Sequence, residues 1–463
     1  MAIGKKAEKA LTPEEKLAQA LVPTEEQTYP VPENWCWVRL STLAKVITKG
    51  TTPSGGKSIY TDTGVSFLRV ENLNEDGTIS HENIAHIPED VHLNLLKRSI
   101  LKERDILISI AGTLGKTGIV RRIDLPLNTN QALAFVRLMD ARICEKYIKY
   151  SIDSPVIHNS LLKKTKVTSI PNLTLEIIGD CSIPFAPISE QQRIVARIDS
   201  LFAKLDEAKE KAQAVVDSFE IRKAAILHKA FTGELTAQWR KSNGISKLSW
   251  EYSNLGKYAS SQYGYTESAS AESIGPKFLR ITDIQDGQVD WKTVPYCNIS
   301  QEKKAMYAIR RGDIVVARTG ATTGKSYLVI DDIDAVYASY LIRVTLNSDK
   351  LIEKYLYLYF QSQEYWTQIS EFSSGIAQPG VNGKKLRALE IPVPSVAEQI
   401  EISRILDKFL DKEQQAKEVS EAVIDQIDTI KKAILARAFR GELGTNDPAE
   451  ESAVELLKTV VSH

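Results

Sequence analysis

The chain is written twice. Trp35 opens one copy in "WCWVRLSTLAKVITKGTTPS" and Trp250 opens the other in "WEYSNLGKYASSQYGYTES", each with a leucine five residues on, Leu40 and Leu255. "FLRVENLNEDGTI" from Phe67 returns as "FLRITDIQDGQVD" from Phe278, and "ERDILISIAGTLGKTGIV" as "RGDIVVARTGATTGKSYLV". "IPFAPISEQQRI" from Ile183 matches "IPVPSVAEQIEI" from Ile391, and "AILHKAFTGEL" from Ala225 matches "AILARAFRGEL" from Ala433. The offset drifts from 215 residues to 211 and settles near 208, as small loop differences would make it. A repeat of this length in a chain of 463 residues predicts two related units, not one core.

Each copy has a variable part followed by a better-kept one. The variable parts read as mixed structure rich in strand. "DILISI" and "DIVVAR" carry the β-branched runs of strands. "NEDGT" and "QDG" are turn chemistry, and "EKYIKYSIDS" and "IEKYLYLYFQS" space Tyr and Leu as short helices do. The better-kept parts read as long helices. Ser189 and Ser395 are placed as N-caps, with Gln192 and Glu398 three residues on to close a capping box. Behind the first cap the apolar positions are Ile194, Ile198, Leu201, Leu205, Ala208, Ala212, Val215 and Phe219, alternating steps of four and three. The second copy offers Ile402, Leu406, Phe409, Ala416, Val423, Ile427, Ile430 and Ile434, with Glu413 and Ser420 interrupting. Gly233 and Gly441 stand where these helices would end. A helix from Glu190 to about Thr232 would be at most roughly 65 Å long.

So narrow a seam asks for one partner, and the chain supplies its own second copy. The expected fold is therefore α+β: two similar strand-rich α/β domains separated by two long helices. Those helices pack as an antiparallel coiled coil with internal pseudo-two-fold symmetry. Ile198, Leu201, Leu205, Leu406, Phe409, Ile427 and Ile430 are the expected seam residues. The competing arrangement has each helix packed only on its own domain.

"AGTLGKTG" and "TGATTGKS" look like nucleotide-binding loops, but a phosphate-binding loop needs four residues between its glycines and a helix after its lysine. Gly112 and Gly115 enclose two residues, Gly320 and Gly324 enclose three, and the residues after each lysine are strand-like. A strand–loop–strand unit used twice fits better. Basic residues gather around both loops, Lys97, Arg98, Lys102, Arg104, Lys116, Arg121 and Arg122 in one copy and Lys303, Lys304, Arg310, Arg311, Arg318 and Lys325 in the other. Such clusters either anchor phosphates and read base edges or form a solvated charged edge.

The remaining composition is permissive. Lys+Arg and Asp+Glu balance at 59 each, which excludes an overall basic coat but not local basic grooves. Cys36, Cys144, Cys181 and Cys297 form no C-x-x-C unit and read as thiols of a reducing compartment. His81, His86 and His92 have no ligand spacing and read as a solvated loop, so no metal site is expected. No apolar run spans a membrane and the N-terminus is not a secretory signal, so a cytoplasmic location is expected.

The order W-x4-L, F-L-R, G-D-I-[LV] with a glycine loop, then I-P-x-P-x-x-x-E-Q before a heptad helix, doubled from about Pro32 to Leu443, resembles the specificity subunit of type I restriction–modification systems. That resemblance implies two target-recognition domains, each reading one half of a split asymmetric DNA sequence, and two helical regions that set the spacing and dock modification subunits. On this plan 1–31 is an extension with a short helix from Thr12–Pro13, 32–186 the first recognition domain and 187–245 the central helical region. The second recognition domain is 246–394, and 395–463 the C-terminal helical region and tail. The resemblance implies double-stranded DNA, two modification subunits and restriction subunits as partners. S-adenosylmethionine, ATP and magnesium are expected on those partners only, with no cofactor and no membrane contact for this chain.

No methyltransferase pocket motif, helicase motif or nuclease motif is readable, so the chain is expected to bind and position while partners react. Adenine methylation would need the base flipped into a partner's pocket. The candidate DNA-binding residues are Arg69, Thr113, Lys116, Lys164, Arg280, Arg318, Thr319, Lys325 and Lys384. Arg69 and Arg280 equally suit ion pairs with carboxylates such as Glu71 or Asp283, and Tyr263 and Tyr265 suit either stacking or a core. Two rival functions stay open: a phosphate- or ATP-binding enzyme using the glycine loops, and a coiled-coil adaptor that binds no DNA.

Overall fold

The computed structural model describes residues 12–53, 59–164, 172–285, 287–373 and 380–462. It divides into two compact units, Met1–Lys211 with Val423–His463, and Ala212–Ala422. Each holds one strand-rich part and a portion of both long helices.

The same sheet is built twice. In the first unit Ala44–Lys49, Leu133–Leu138, Ile106–Ser109 and Thr117–Ile119 lie side by side in that order, all antiparallel. In the second the order is Ala259–Tyr263, Leu341–Leu346, Ile314–Ala317 and Ser326–Leu328. Ile106–Ser109 and Ile314–Ala317, the strands foreseen in "DILISI" and "DIVVAR", are buried at every residue. The β-branched run thus fills a two-faced central position. The aspartate before each strand closes a turn. Lys102 N donates to Asp105 Oδ2 at 2.7 Å, and Arg310 N to Asp313 Oδ2 at 2.8 Å. Burial pushes the Asp105 carboxyl up, against hydrogen bonds from Arg137 that pull it down.

Short antiparallel pairs join each sheet region to its long helix, Cys36–Arg39 with Ser182–Phe185 and Glu251–Asn254 with Glu390–Val393. The prolines of the two I-P pairs sit in these strands, and their carbonyls accept from tyrosines of the next layer. Tyr147 Oη donates to Pro184 at 2.6 Å and Tyr355 Oη to Pro392 at 2.8 Å. The tyrosines come from the helices Glu145–Asp153 and Glu353–Tyr359, where Tyr and Leu spacing predicted them.

The long helices run Ile188–Phe231 and Val396–Ala438. Asp206 pairs with Lys431 and Lys209 with Asp428 in the first unit, and Arg222 with Glu413 in the second. Partner numbers fall as helix numbers rise, so the pair is antiparallel. In the first helix Ile198 is buried, and Leu201 and Leu205 are half-buried. In the second, Leu406 and Ile427 are buried and Phe409 half-buried, but Ile430 is 42% exposed. The expected seam and the actual stripe both step by four and three and share Leu406, Glu413, Ser420, Ile427 and Ile434. Between these the apolar residues Ala416, Val423 and Ile430 are exposed, and the stripe takes the next residue each time, Lys417, Ile424 and Lys431, as it takes Leu410 after Phe409, none of them exposed. Polar members survive there because partners meet them. Arg222 Nε donates to Glu413 at 2.7 Å, and Lys417 and Lys431 lie over the rings of Phe219 and Phe202.

The capping boxes need correcting. The first long helix begins one residue before Ser189, whose hydroxyl donates to Glu450 instead. Ser395 does cap the second helix, accepting from Glu398 N at 3.3 Å, while the Glu398 carboxylate is spent elsewhere. Glu190 and Glu398 are fully buried and receive the doubled tryptophans, Trp35 Nε1 at 2.7 Å and Trp250 Nε1 at 3.0 Å. Their neighbours Gln191 and Gln399 accept from Cys144 N and Ile352 N and donate to Ala186 and Pro394. The doubled E-Q is therefore a structural rivet on each helix start.

The helix foreseen after Thr12 spans Pro13–Ala20 and carries a complete capping box with Glu15. It packs against the terminal helix Ala453–Ser462, where Ala20, Leu457 and Val460 enter the core of the first unit. Gly233 and Gly441 end the long helices at φ +82° and +75°.

Candidate nucleic-acid interface

Both glycine loops are tips of antiparallel hairpins, Ile106–Ser109 with Thr117–Ile119 and Ile314–Ala317 with Ser326–Leu328. A loop that returns into a strand presents no helix N-terminus to a phosphate, so neither forms the cradle of a nucleotide-binding loop. Their likeness has a packing cause. The first glycine of each, Gly112 or Gly320, has φ near +77° or +76° and faces open space. The second packs on a helix: a Cβ on Gly115 would meet the His158 ring at 2.7 Å, and one on Gly324 the Trp366 ring at 2.9 Å. Glycine is needed once for the turn and once for close approach.

In the first unit Thr113 is exposed at the tip, with its carbonyl held by Ser109 Oγ. Lys116 is drawn back to Glu75 at 2.8 Å. Lys164 is exposed at the end of the helix Pro155–Lys163. Arg69 pairs with Glu71 at 2.8 Å and Arg280 with Asp283 at 2.7 Å. Of the two open readings, the ion pairs are what forms. Asn72 and Asp283 stabilise turns, accepting from Arg69 N and Arg280 N at 3.1 and 2.8 Å.

The second unit gathers more of the expected residues. Arg318 lies over the Tyr263 ring at 5.0 Å, and the Tyr263 hydroxyl accepts from Gly383 N at 3.0 Å. Thr319 bridges to Gly380, and Val381 N donates to the Arg318 carbonyl at 2.9 Å. The exposed Lys384 is on the next turn, in Gly383–Arg387, whose cap Asn382 accepts from Lys385 N. Arg318, Thr319 and Lys384 thus share one patch with Tyr263, which is 42% exposed and not core. Tyr265 instead packs on Tyr307. Nothing in the sequence linked Tyr263 to Arg318; the sheet register brings them together. Lys325 is exposed on the other flank of the hairpin, with no ion pair among the described residues.

The histidines are not one solvated loop. His86 lies in the strand Ala85–Ile87, His81 meets Asp124 at 3.1 Å, and His92 is buried against Asn128 at 3.1 Å. All four cysteines are free, and burial pushes the Cys36 and Cys181 thiols up to about 12. Among the described residues no group of three or more His, Cys, Asp or Glu is placed to hold a metal, and no helix is long and apolar enough to cross a membrane.

Comparison with known proteins gives this geometry a family. The chain is 25% identical over 438 residues to the type I restriction enzyme EcoKI specificity subunit of Escherichia coli (strain K12), covering 91% of each. It is 26% identical over 432 residues to the MjaVIII specificity subunit of Methanocaldococcus jannaschii, covering 89% of this chain and 94% of that one. Its fold is that of the HsdS subunit from Thermoanaerobacter tengcongensis, with a TM-score of 0.62 at 20% identity over 91% of this chain and all of that one. A chain from a structure describing complex assembly and conformational transition of the type I R-M system superposes with a TM-score of 0.68 at 20% identity, covering 90% of this chain and 100% of that one. The type I restriction modification DNA specificity domain matches residues 32–216 and again 250–422. With that domain present twice, the chain belongs to the DNA-specificity family of type I restriction–modification systems and is a specificity subunit.

Proposed function

We propose that the chain reads a bipartite asymmetric DNA target without catalysing a reaction itself, one half-site per strand-rich domain. It docks two modification subunits and, through the assembled complex, restriction subunits. S-adenosylmethionine, ATP and magnesium belong to those partners, and the complex works in the cytoplasm. The observation that carries this reading is the duplication. Two units share one sheet order but present different side chains at matched places, Arg318 where the first copy has Ile110, as two readers of different half-sites would.

Arg318, Thr319 and Lys384 form the contact patch of the second unit, with Lys325 beside it. Thr113 and Lys164 are its exposed counterparts in the first. Arg69, Lys116 and Arg280 reach a phosphate by exchanging a carboxylate partner for it, a modest cost at a surface ion pair. Ile198, Leu201, Leu205, Leu406, Phe409 and Ile427 hold the helix pair that sets the spacing.

Methylation mapping by single-molecule sequencing tests the proposal, in cells expressing this chain with its neighbouring modification subunit. A split asymmetric motif that disappears when this chain is deleted is expected. Absence of any motif, with both proteins present and associated, would refute DNA reading and favour an adaptor.

A further inference from the structure

The two glycine-loop regions are built alike and charged differently. In the first unit four lysines each meet a carboxylate: Lys116 with Glu75 and Lys149 with Asp153, both at 2.8 Å, Lys209 with Asp428 at 3.9 Å, and Lys431 with Asp206. The repeat carries these lysines to Lys325, Tyr357, Lys417 and Lys223, and the carboxylates Asp153, Asp428 and Asp206 to Gln361, Glu220 and Gln414. Three lysines are kept and two carboxylates have become amides.

Matched contacts confirm that the positions correspond. Thr117 Oγ1 donates to Asp153 at 2.5 Å in one copy, and Gln361 Nε2 donates to Ser326 Oγ at 3.0 Å in the other. A Cβ on Gly77 would meet Lys149, and one on Gly287 would meet Tyr357.

In the second unit Lys223, Lys325, Lys417, Glu220, Gln361 and Gln414 line a cleft of about 480 Å³. Lys223 and Glu220 come from the first long helix, Gln414 and Lys417 from the second, Lys325 from the glycine loop and Trp366 from the helix beneath it. Glu220 is the single carboxylate among the described residues lining it. Lys417 is 4.0 Å from Glu421, outside the cleft, and Lys223 and Lys325 make no ion pair among the described residues. Among the described residues three ammonium groups then face one carboxylate; they repel one another until an anion enters, and lysine serves phosphate as a mobile point charge.

We propose that this cleft is a phosphate site for the backbone of duplex DNA beside the second unit's half-site, whereas in the first unit the matching lysines, Lys116 among them, must each release a carboxylate before taking a phosphate. The chain then grips its DNA unevenly, with the sequence-independent part of the affinity weighted toward the second half-site. This rests on the DNA-reading function proposed above.

The test is the salt dependence of duplex binding by the assembled complex with its modification subunits. Each phosphate that the protein ceases to neutralise lowers the slope of log K against log[salt] by about 0.9 and weakens binding about eight-fold at 0.1 M salt. The double variant Lys223→Gln/Lys325→Gln is expected to release one to two such phosphates. Importing the first copy's carboxylates, Gln361→Asp with Gln414→Asp, is expected to do the same with every lysine in place. Methylphosphonate linkages flanking the second half-site should weaken the wild type and leave the double variant indifferent.

Unchanged slopes in both variants, with site-specific binding intact, would overturn the phosphate site and leave the DNA-reading function standing. A complex that binds no duplex at all would remove both. Inorganic phosphate or ATP that binds wild type but not the double variant, and is not displaced by duplex, would make the source a free anion and refute the DNA assignment.

Discussion

Glu190 and Glu398 occupy the same place in the two copies, and replacing each by glutamine should have unequal consequences. Glu398 is fully buried and takes hydrogen bonds from Trp250 Nε1, Thr236 Oγ1 and Arg240 Nη1. Arg240 is 6% exposed and meets no other carboxylate among the described residues; its remaining partners there are Thr236, the Gly233 carbonyl and the Trp250 ring. Removing one member of such a buried pair costs about 3–5 kcal/mol. An amide still accepts a hydrogen bond worth about 1 kcal/mol, which leaves a loss of about 2–4 kcal/mol for Glu398→Gln. Glu190 accepts from Trp35, with Thr445 only at 3.4 Å, and Arg193 is occupied by Glu450. Burial raises its carboxyl above the usual range, ahead of the lowering by Trp35 and Arg193.

A carboxyl raised on folding lends stability while it is protonated and loses it as pH rises through the folded value. Near neutral pH, Glu190→Gln should therefore cost under about 1 kcal/mol, and its cost should shrink further from pH 5 to pH 7. Because two units need not unfold as one, pulsed hydrogen exchange read by mass spectrometry along a urea series is the right assay. Peptides from 390–410 report the second unit and those from 183–200 the first. Equal losses in the two variants, or a larger one for Glu190→Gln, would refute the claim that Arg240 makes the difference.

Two further outcomes are expected. Seven residues inserted after Ala208, with seven more at the facing position after Asp428, keep the seam in phase and lengthen the helix pair by about 10 Å; methylation mapping should show unchanged half-sites about three base pairs further apart, at 3.4 Å per pair. Gly320→Ala should cost about 1–2 kcal/mol for its positive φ alone, while Gly324→Ala, whose Cβ would lie 2.9 Å from Trp366 and Ile369, should lose about 1–3 kcal/mol more by overpacking, as read from urea unfolding of the second unit.

The repeat, the central strands, the short helices and the long helix pair were legible because each follows from local periodicity repeated at a fixed offset. Apolar count misled where the interface admits charge. Ile430 looks like a seam residue and is 42% exposed, whereas Lys431, beside it, is the true member, its stem lying along Phe202 and its ammonium on Asp206. Two four-three counts run through Leu406, Glu413, Ser420 and Ile427; one takes the apolar Ala416, Val423 and Ile430, and the lysines in the other, Lys417 and Lys431, hid the stripe. The capping boxes failed for a related reason: Glu398 has the right spacing for a cap, but a buried tryptophan and arginine compete for the same carboxylate. Local rules cannot see partners that arrive from more than a hundred residues away.

The same limit governs the candidate site. Clustering along the chain rated Lys116 and Lys325 alike, because both follow a loop glycine. Their surroundings separate them: Glu75 reaches Lys116, while Lys325 has no ion pair among the described residues and lines a cleft with Gln361 and Gln414. Individually, glutamine for aspartate is an unremarked change on a polar surface. Two such changes around one cleft shift its field toward positive, and they become visible only once the fold shows that residues 361 and 414 correspond to 153 and 206. Duplication supplies the control that a single domain lacks. Each copy shows what the other's framework needs in order to fold, so the differences left over are those free to serve recognition, and the lost carboxylates lie among them.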